Sequence, residues 1–112
     1  MYSIYLYKSR TDRPIIEKFI DSMDKDMQVR VRNAMRLLQT YGLVLLHNDF
    51  VRKIHQHPDI YELRLKGSIH IRLLFFLYNH SSFVIVHGYI KKSQKLPRRD
   101  IDIALKRVRE FE

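Results

Sequence analysis

The feature that most constrains the fold is a set of alternating segments in the second half of the chain. Apolar side chains occupy every second position of segments 61–66 and 69–78, and segment 83–91 repeats the pattern with Gly88 at one of these positions. Alternation with a period of two is typical of β-strands that bury one face. The sequence therefore predicts three neighbouring antiparallel strands.

The connection between the first two strands decides which residues lie opposite each other. A loop of three residues, Lys66 to Ser68, would pair Leu65 with Ile69 and keep both apolar sets on one side of the sheet. Symmetric pairing around His80 and Ser81 would extend the sheet to the third strand. The predicted cross-strand pairs are Arg64 with His70, Glu62 with Arg72, Tyr78 with Phe83, Arg72 with Tyr89, and His70 with Lys91.

This arrangement predicts one apolar face, available for helices, and one open face that is strongly basic. The apolar face would hold Leu63, Leu65, Ile69, Ile71, Leu73, Phe75, Val84, Val86 and Ile90. The open face would gather Arg64, His70, Arg72, His87, Tyr89 and Lys91. Antiparallel sheets often leave one face to water, so a purely structural role is the alternative. Against it, Glu62 is the only acid on this face, whereas ordinary solvated faces mix both signs.

Helical patterns flank the strands on both sides. Residues 2–7 alternate as a short strand, and segments 13–23 and 24–41 carry apolar stripes at helical spacing, with Gly42 as a stop. A last helix is predicted over about 97–110. We therefore expect one α+β domain over residues 1–112, in which an N-terminal strand and a two-helix hairpin pack on a small antiparallel sheet, with a C-terminal helix.

Charge and composition narrow the classes of function. The net charge is +9, and segment 64–99 holds eight Lys or Arg residues and no Asp or Glu, which indicates an anionic partner, although a solvated basic surface is the alternative. The chain has no cysteine, so disulfides, thiolate zinc sites and cysteine nucleophiles are excluded. The longest apolar run is six residues, and the start lacks a signal-peptide pattern, so we expect a cytoplasmic protein without membrane association.

The sequence predicts no cofactor and no metal site. His55 and His57 have a spacing seen in metal sites, but no third ligand follows at a suitable distance. A loop role near a nucleic acid is the better interpretation of this pair.

A family resemblance rests on the same strands. The motifs are Glu62-Leu63-Arg64, a second arginine at Arg72, an aromatic at Phe76 or Tyr78, and then His87-Gly88-Tyr89, Lys91-Lys92, Lys95 and Pro97. In this order they resemble the HigB branch of the RelE/ParE toxin superfamily, strongly over about 50 residues. The predicted order of strands and helices extends the likeness to nearly the whole chain.

The resemblance implies a toxin of a type II toxin–antitoxin pair. RelE- and HigB-like members cut mRNA in the ribosomal A site, whereas ParE-like relatives poison gyrase, and these motifs follow HigB more closely. The implied partners are a cognate antitoxin, of the helix-turn-helix HigA-like kind, together with the ribosome and mRNA. The implied catalytic set is Arg64, Arg72, His87, Tyr89, Lys91 and Lys92. The implied RNA contacts are Lys53, His55, Lys66, His70, Lys95, Arg98 and Arg99.

Metal-free RNA cleavage needs a base for the 2′-hydroxyl, positive charge at the phosphate and an acid for the leaving oxygen. Arg64 and Arg72 are predicted phosphate clamps, and His70 or His87 could serve as base or acid. We expect the Arg72 guanidinium to be exposed and to contribute little to stability. Two alternatives stay open at this point: a gyrase inhibitor, and a module that binds nucleic acid without cutting it.

Overall fold

The computed structural model describes residues 1–54, 59–95 and 97–112. In these ranges five strands form one sheet in the order β1-β5-β4-β3-β2. The strands are β1 (Ser3–Leu6), β2 (Val51–Lys53), β3 (Tyr61–Lys66), β4 (His70–Asn79) and β5 (Ser82–Ile90). The helices are α1 (Ile15–Asp21), α2 (Lys25–Tyr41), a 3-10 helix (Gly42–His47) and α3 (Arg98–Arg109). The α+β class matches the prediction, whereas the predicted N-terminal strand and two-helix hairpin are matched only in part.

The sheet is mixed, so the expectation of a purely antiparallel sheet is wrong. Strand β1 pairs in parallel with β5, with Ser3 beside Ser82 and Leu6 beside Ile85. Two parallel strands require a crossover connection, and here most of the chain supplies it. Strand β2 was not predicted, because three residues are too few to show an alternating pattern.

The hairpin of β3 and β4 has a different register from the predicted one. Lys66 lies opposite His70, and residues 67–69 form the turn, so Ile69 leaves the core face. Arg64 therefore lies opposite Arg72, and the predicted pairs of Arg64 with His70 and of Glu62 with Arg72 are wrong. Outside the turn, both registers keep the same residues on the same face, so the alternating pattern of the strands cannot separate them.

The pairing of β4 with β5 was predicted correctly at one end only. Arg72 lies opposite Tyr89, and the Lys91 amide donates to the His70 carbonyl over 2.8 Å, as expected. Beyond this point the register shifts, because Leu74 faces His87 whereas Phe75 faces Ile85.

Val86 is thus the extra residue of a β-bulge, which reverses the alternation along the first half of β5. Phe83 consequently pairs with Leu77, and the predicted pair with Tyr78 is wrong. Phe83 packs edge-on against Phe75 in the core, whereas Val84 turns to the other face. The predicted placement of Val84 and Val86 on one face with Phe75 therefore fails at the bulge.

Helices α1 and α2 cover the core face of the sheet. The stripe of α2 is buried as predicted at Met27, Val31, Ala34 and Leu38. Asp24 caps its start, with Oδ1 accepting from the Met27 amide at 2.8 Å. Helix α1 is shorter than the predicted segment 13–23. At the end of α2, Gly42 has a φ of 60° and lies against the Tyr2 ring, so the position requires glycine.

Helix α3 packs on the other face of the sheet, which was expected to be open. The Arg107 Nη1 atom donates to the Val86 carbonyl at 2.7 Å, and Phe111, just after α3, lies 5.4 Å from Phe76 between ring centroids. Leu74 and Phe76 are buried. In the described residues, α3 does not cover the end of this face that carries Arg64 and Arg72. No helix in the described ranges is long and apolar enough to cross a membrane.

Candidate functional site

The uncovered end of the sheet forms an open cavity of about 520 Å³. Strands β3 and β4 and the segment after β5 supply its walls. The cavity is lined by Glu62, Arg64, Lys66, His70, Arg72, Lys91, Lys92, Ser93 and Gln94. We call this the basic cleft. Five Lys or Arg side chains and one histidine face a single carboxylate, so the cleft is suited to a polyanion.

Arg72 lies at the most deeply buried position of the basic cleft. It is 4% exposed, so the expectation of an exposed guanidinium is wrong. Its Nη1 atom donates to the Ile71 carbonyl at 3.3 Å, and its Nε atom lies 4.0 Å from Glu62 Oε2. Burial lowers the pKa of Arg72, and the Glu62 carboxylate opposes that shift. The guanidinium is thus fixed in place by its surroundings before any ligand arrives.

Glu62 lies between two guanidinium groups. Its Oε1 atom is 3.5 Å from Arg64 Nε, while Oε2 is the atom that approaches Arg72. Among the described residues, Arg64 Nε is a buried nitrogen without a hydrogen-bond partner. Two arginines directly opposite each other repel, and one carboxylate compensates only part of that charge. An anionic group such as phosphate would supply the remainder.

Sequence reasoning missed Ser93 and Gln94 as cleft residues. It placed Glu62 on the open face as the only acid there, but did not include it among the predicted site residues. Ser93 and Gln94 follow the end of β5 and carry no pattern that would place them at the cleft.

Tyr89 lies opposite Arg72 on β5 and is partly buried. Burial, followed by the nearby Glu62 carboxylate, raises the pKa of Tyr89 to about 12. Its phenol therefore keeps its proton at neutral pH and can act as a hydrogen-bond donor. The ring stacks on His87 with centroids 6.0 Å apart and an interplanar angle of 20°.

His87 lies beneath α3 and does not line the basic cleft. Its Nε2 atom is 2.7 Å from Asp100 Oδ1, and its Nδ1 atom is 3.4 Å from Arg107 Nη1. Burial lowers the pKa of His87, although Asp100 opposes the shift. Both ring nitrogens are engaged by α3, so His87 contacts the cleft region only through the Tyr89 ring.

The other predicted RNA contacts are spread around the cleft. Lys66 and His70 line it, as do Lys91 and Lys92. Lys53 is exposed on β2, the Lys95 carbonyl accepts from Lys91 Nζ at 3.1 Å, and Arg98 and Arg99 are exposed at the start of α3. His55 and His57 lie outside the described residues. Within the ranges the structure covers, no three His, Asp or Glu side chains form a group that could hold a metal ion.

The fold and the basic cleft define a small, basic α+β protein with a cationic cavity on its sheet. The family model of phage-derived Gp49-like proteins (DUF891) matches residues 18–109, most of the chain, and the chain therefore belongs to this family. The family lies in the RelE/toxin-like group. No curated protein matches the chain. The toxin-like part of the resemblance is thus confirmed, whereas the HigB branch stays a prediction.

Proposed function

We propose that this protein is the toxin of a type II toxin–antitoxin pair and that it cuts mRNA on the ribosome without a metal ion. The observation that carries the proposal is the pair of arginines in the basic cleft. Arg64 and Arg72 lie directly opposite each other on neighbouring strands, with Glu62 as the only carboxylate among the lining residues. Membership of a toxin-like family agrees with this reading.

In the proposed reaction the two guanidinium groups bind the scissile phosphate. Planar guanidinium forks donate paired hydrogen bonds to phosphate oxygens. Because Arg72 is already buried and held by the Ile71 carbonyl, little reorganisation is needed as charge builds up on the phosphorane-like transition state. Lys91 and Lys92, on the opposite wall, add positive charge to the same space.

The proton transfers are assigned to His70 and Tyr89. His70 lines the basic cleft, whereas both nitrogens of His87 are engaged by α3. His70 takes the 2′-hydroxyl proton while the 2′-oxygen attacks phosphorus. The bond from phosphorus to the 5′-oxygen breaks, and the proton for that oxygen is assigned to the Tyr89 hydroxyl. Tyr89 does not line the cleft, but it lies opposite Arg72 on the neighbouring strand. The products are a 2′,3′-cyclic phosphate and a 5′-hydroxyl end.

The proposal assigns the outlying basic residues to the path of the RNA. Lys53, His55, Lys95, Arg98 and Arg99 would contact the backbone on either side of the cleft, where each phosphate contact adds affinity that falls with salt. The partners in this proposal are mRNA on the ribosome and a cognate antitoxin that neutralises the protein.

The test combines growth and cleavage. Expression of the chain alone should arrest growth, and co-expression of the neighbouring antitoxin gene should relieve the arrest. Purified protein should cut mRNA in the presence of ribosomes and leave 2′,3′-cyclic phosphate ends. Growth arrest with intact mRNA and inhibited gyrase supercoiling would instead establish the gyrase inhibitor. RNA binding without cutting would establish the non-catalytic module.

A further inference from the structure

A second cavity lies next to the basic cleft, between α2 and the end of β3. It has a volume of about 260 Å³ and is lined by Arg30, Asn33, Ala34, Leu37, Phe50, Arg64, Leu65 and Lys66. We call it the side groove. Arg64 and Lys66 line both cavities, so the end of β3 is a wall that the two share.

The side groove combines an apolar surface with polar groups at its margin. Leu37 lies on the side of α2 that faces away from the core and is 41% exposed. The Phe50 side chain is only partly buried. Asn33 is exposed one turn before Leu37 and offers an amide that can both donate and accept. An apolar floor with one amide at its edge matches a nucleobase, which has an aromatic face and a polar edge.

Arg30 is held at the rim of the side groove. Its Nε atom donates to Asp26 Oδ2 at 3.2 Å, and its Nη1 atom donates to the Lys66 carbonyl at 3.3 Å. These contacts hold the Arg30 guanidinium against the end of β3. Three cationic residues, Arg30, Arg64 and Lys66, therefore border the apolar floor, where they can contact the phosphates that flank a base.

We propose that the side groove binds the base of the nucleotide next to the scissile phosphate, with single-stranded RNA passing over the end of β3. This inference rests on the proposed function, since it takes the phosphate of Arg64 and Arg72 as its starting point. The base packs on Leu37 and Phe50, Asn33 reads its edge, and Arg30 contacts the following phosphate.

The test measures binding of five-nucleotide RNAs by fluorescence anisotropy at low salt. The central nucleotide is 2′-deoxy, so that the strand cannot be cut, and companion strands carry an abasic residue at one flanking position each. One abasic position should weaken binding about tenfold, because stacking of a base on an apolar or aromatic side chain is worth about that much. Abasic residues elsewhere should have little effect.

Two variants and a control assign the effect to the side groove. Leu37→Asp and Asn33→Ala change exposed residues, so both should fold, and Leu37→Asp should abolish the difference between the intact and the abasic strand. Asn33→Ala should reduce the preference among the four bases at that position. Val44→Asp places the same charge at an apolar residue that is 66% exposed and lines neither cavity, and it should behave as the parent.

The outcomes separate this inference from the proposed function. If the parent binds RNA in an Arg72-dependent way but no abasic position matters, or if Leu37→Asp still discriminates, the side groove is not a base site and the basic cleft stands. If the parent does not bind the intact five-nucleotide RNA, the side groove proposal fails. If the parent also does not cut mRNA on the ribosome, or Arg72→Ala cuts it as fast as the parent, the proposed function fails with it.

Discussion

Replacement of Arg72 by alanine should slow RNA cleavage far more than its effect on folding stability can explain. The substitution removes a buried guanidinium that lies 4.0 Å from Glu62. Loss of one transition-state donor typically costs about 3–4 kcal/mol, so we expect RNA cleavage to slow by about a hundredfold to a thousandfold. The reduction should appear in kcat, because the guanidinium stabilises the developing charge, and RNA affinity should also fall, because the same group binds the phosphate before the reaction.

The same substitution should also reduce the free energy of unfolding, because Arg72 is buried. Removing one partner of a buried ion pair typically costs about 3–5 kcal/mol. Here Arg64 stays beside Glu62, and the repulsion between the two arginines disappears, so we expect about 1–3 kcal/mol. If the parent has at least about 5 kcal/mol of stability, about 97% or more of the variant remains folded. Unfolding therefore cannot account for a hundredfold loss of activity.

Leu73→Ala is the matched control. Leu73 is fully buried on the opposite face of β4, and its truncation should cost about 2–5 kcal/mol, as much as the arginine change or more. Activity per folded molecule should nevertheless stay near the parental level. The assays are denaturant melts and single-turnover cleavage on both variants. Parental cleavage by Arg72→Ala, or an equal loss of specific activity in Leu73→Ala, would refute the reasoning.

Three further predictions follow from the structure. Because burial lowers the pKa of His87, the unfolded chain binds a proton that the native state excludes, so the free energy of unfolding should fall as the pH drops from about 7 to 5. Denaturant melts should show a smaller fall for His87→Gln. The same pH dependence in His87→Gln and in the parent would contradict the role given to His87. Asp24→Ala removes the cap on the Met27 amide and should cost about 1 kcal/mol of stability in melts with no change in cleavage; a parental melting curve would show that the cap is not stabilising. Cleavage of mRNA on the ribosome should persist at EDTA concentrations that leave ribosomes intact, since the cleft lining offers one carboxylate. An absolute need for added Mg²⁺ in the cleavage step itself would overturn the metal-free mechanism.

The alternating pattern predicted the three long strands and the residues at the centre of the cleft. The pairing of Arg72 with Tyr89 was predicted from the alternation of faces along both strands and from the short turn that joins them. The register of the hairpin of β3 and β4 could not be predicted in this way, because shifting the turn by one residue along the chain leaves every strand side chain on the same face. That ambiguity decided whether Glu62 or Arg64 lies directly opposite Arg72, and so whether two adjacent cations share the Glu62 carboxylate.

The position of α3 was the larger omission, and it has a physical cause. The residues from Phe83 to Val86 are all apolar, so the sequence shows no break in alternation before the bulge at Val86. The alternating pattern predicts that this face is open to solvent. The face nevertheless includes Leu74 and Phe76, and it is apolar enough to pack against a helix. The burial of His87 beside Asp100 could not be predicted either, because it depends on the position of α3 on this face.

The parallel pairing of β1 with β5 also sets the order in which this chain can fold. Ser3 pairs with Ser82, so the first strand to leave the ribosome has no partner until β5 has been synthesised. Strands β3, β4 and β5 are joined by tight turns and can associate from local contacts, whereas joining β1 closes a loop of most of the chain. We therefore expect β1 to dock last, and a nascent chain that ends before β5 to lack both a complete sheet and a complete cleft.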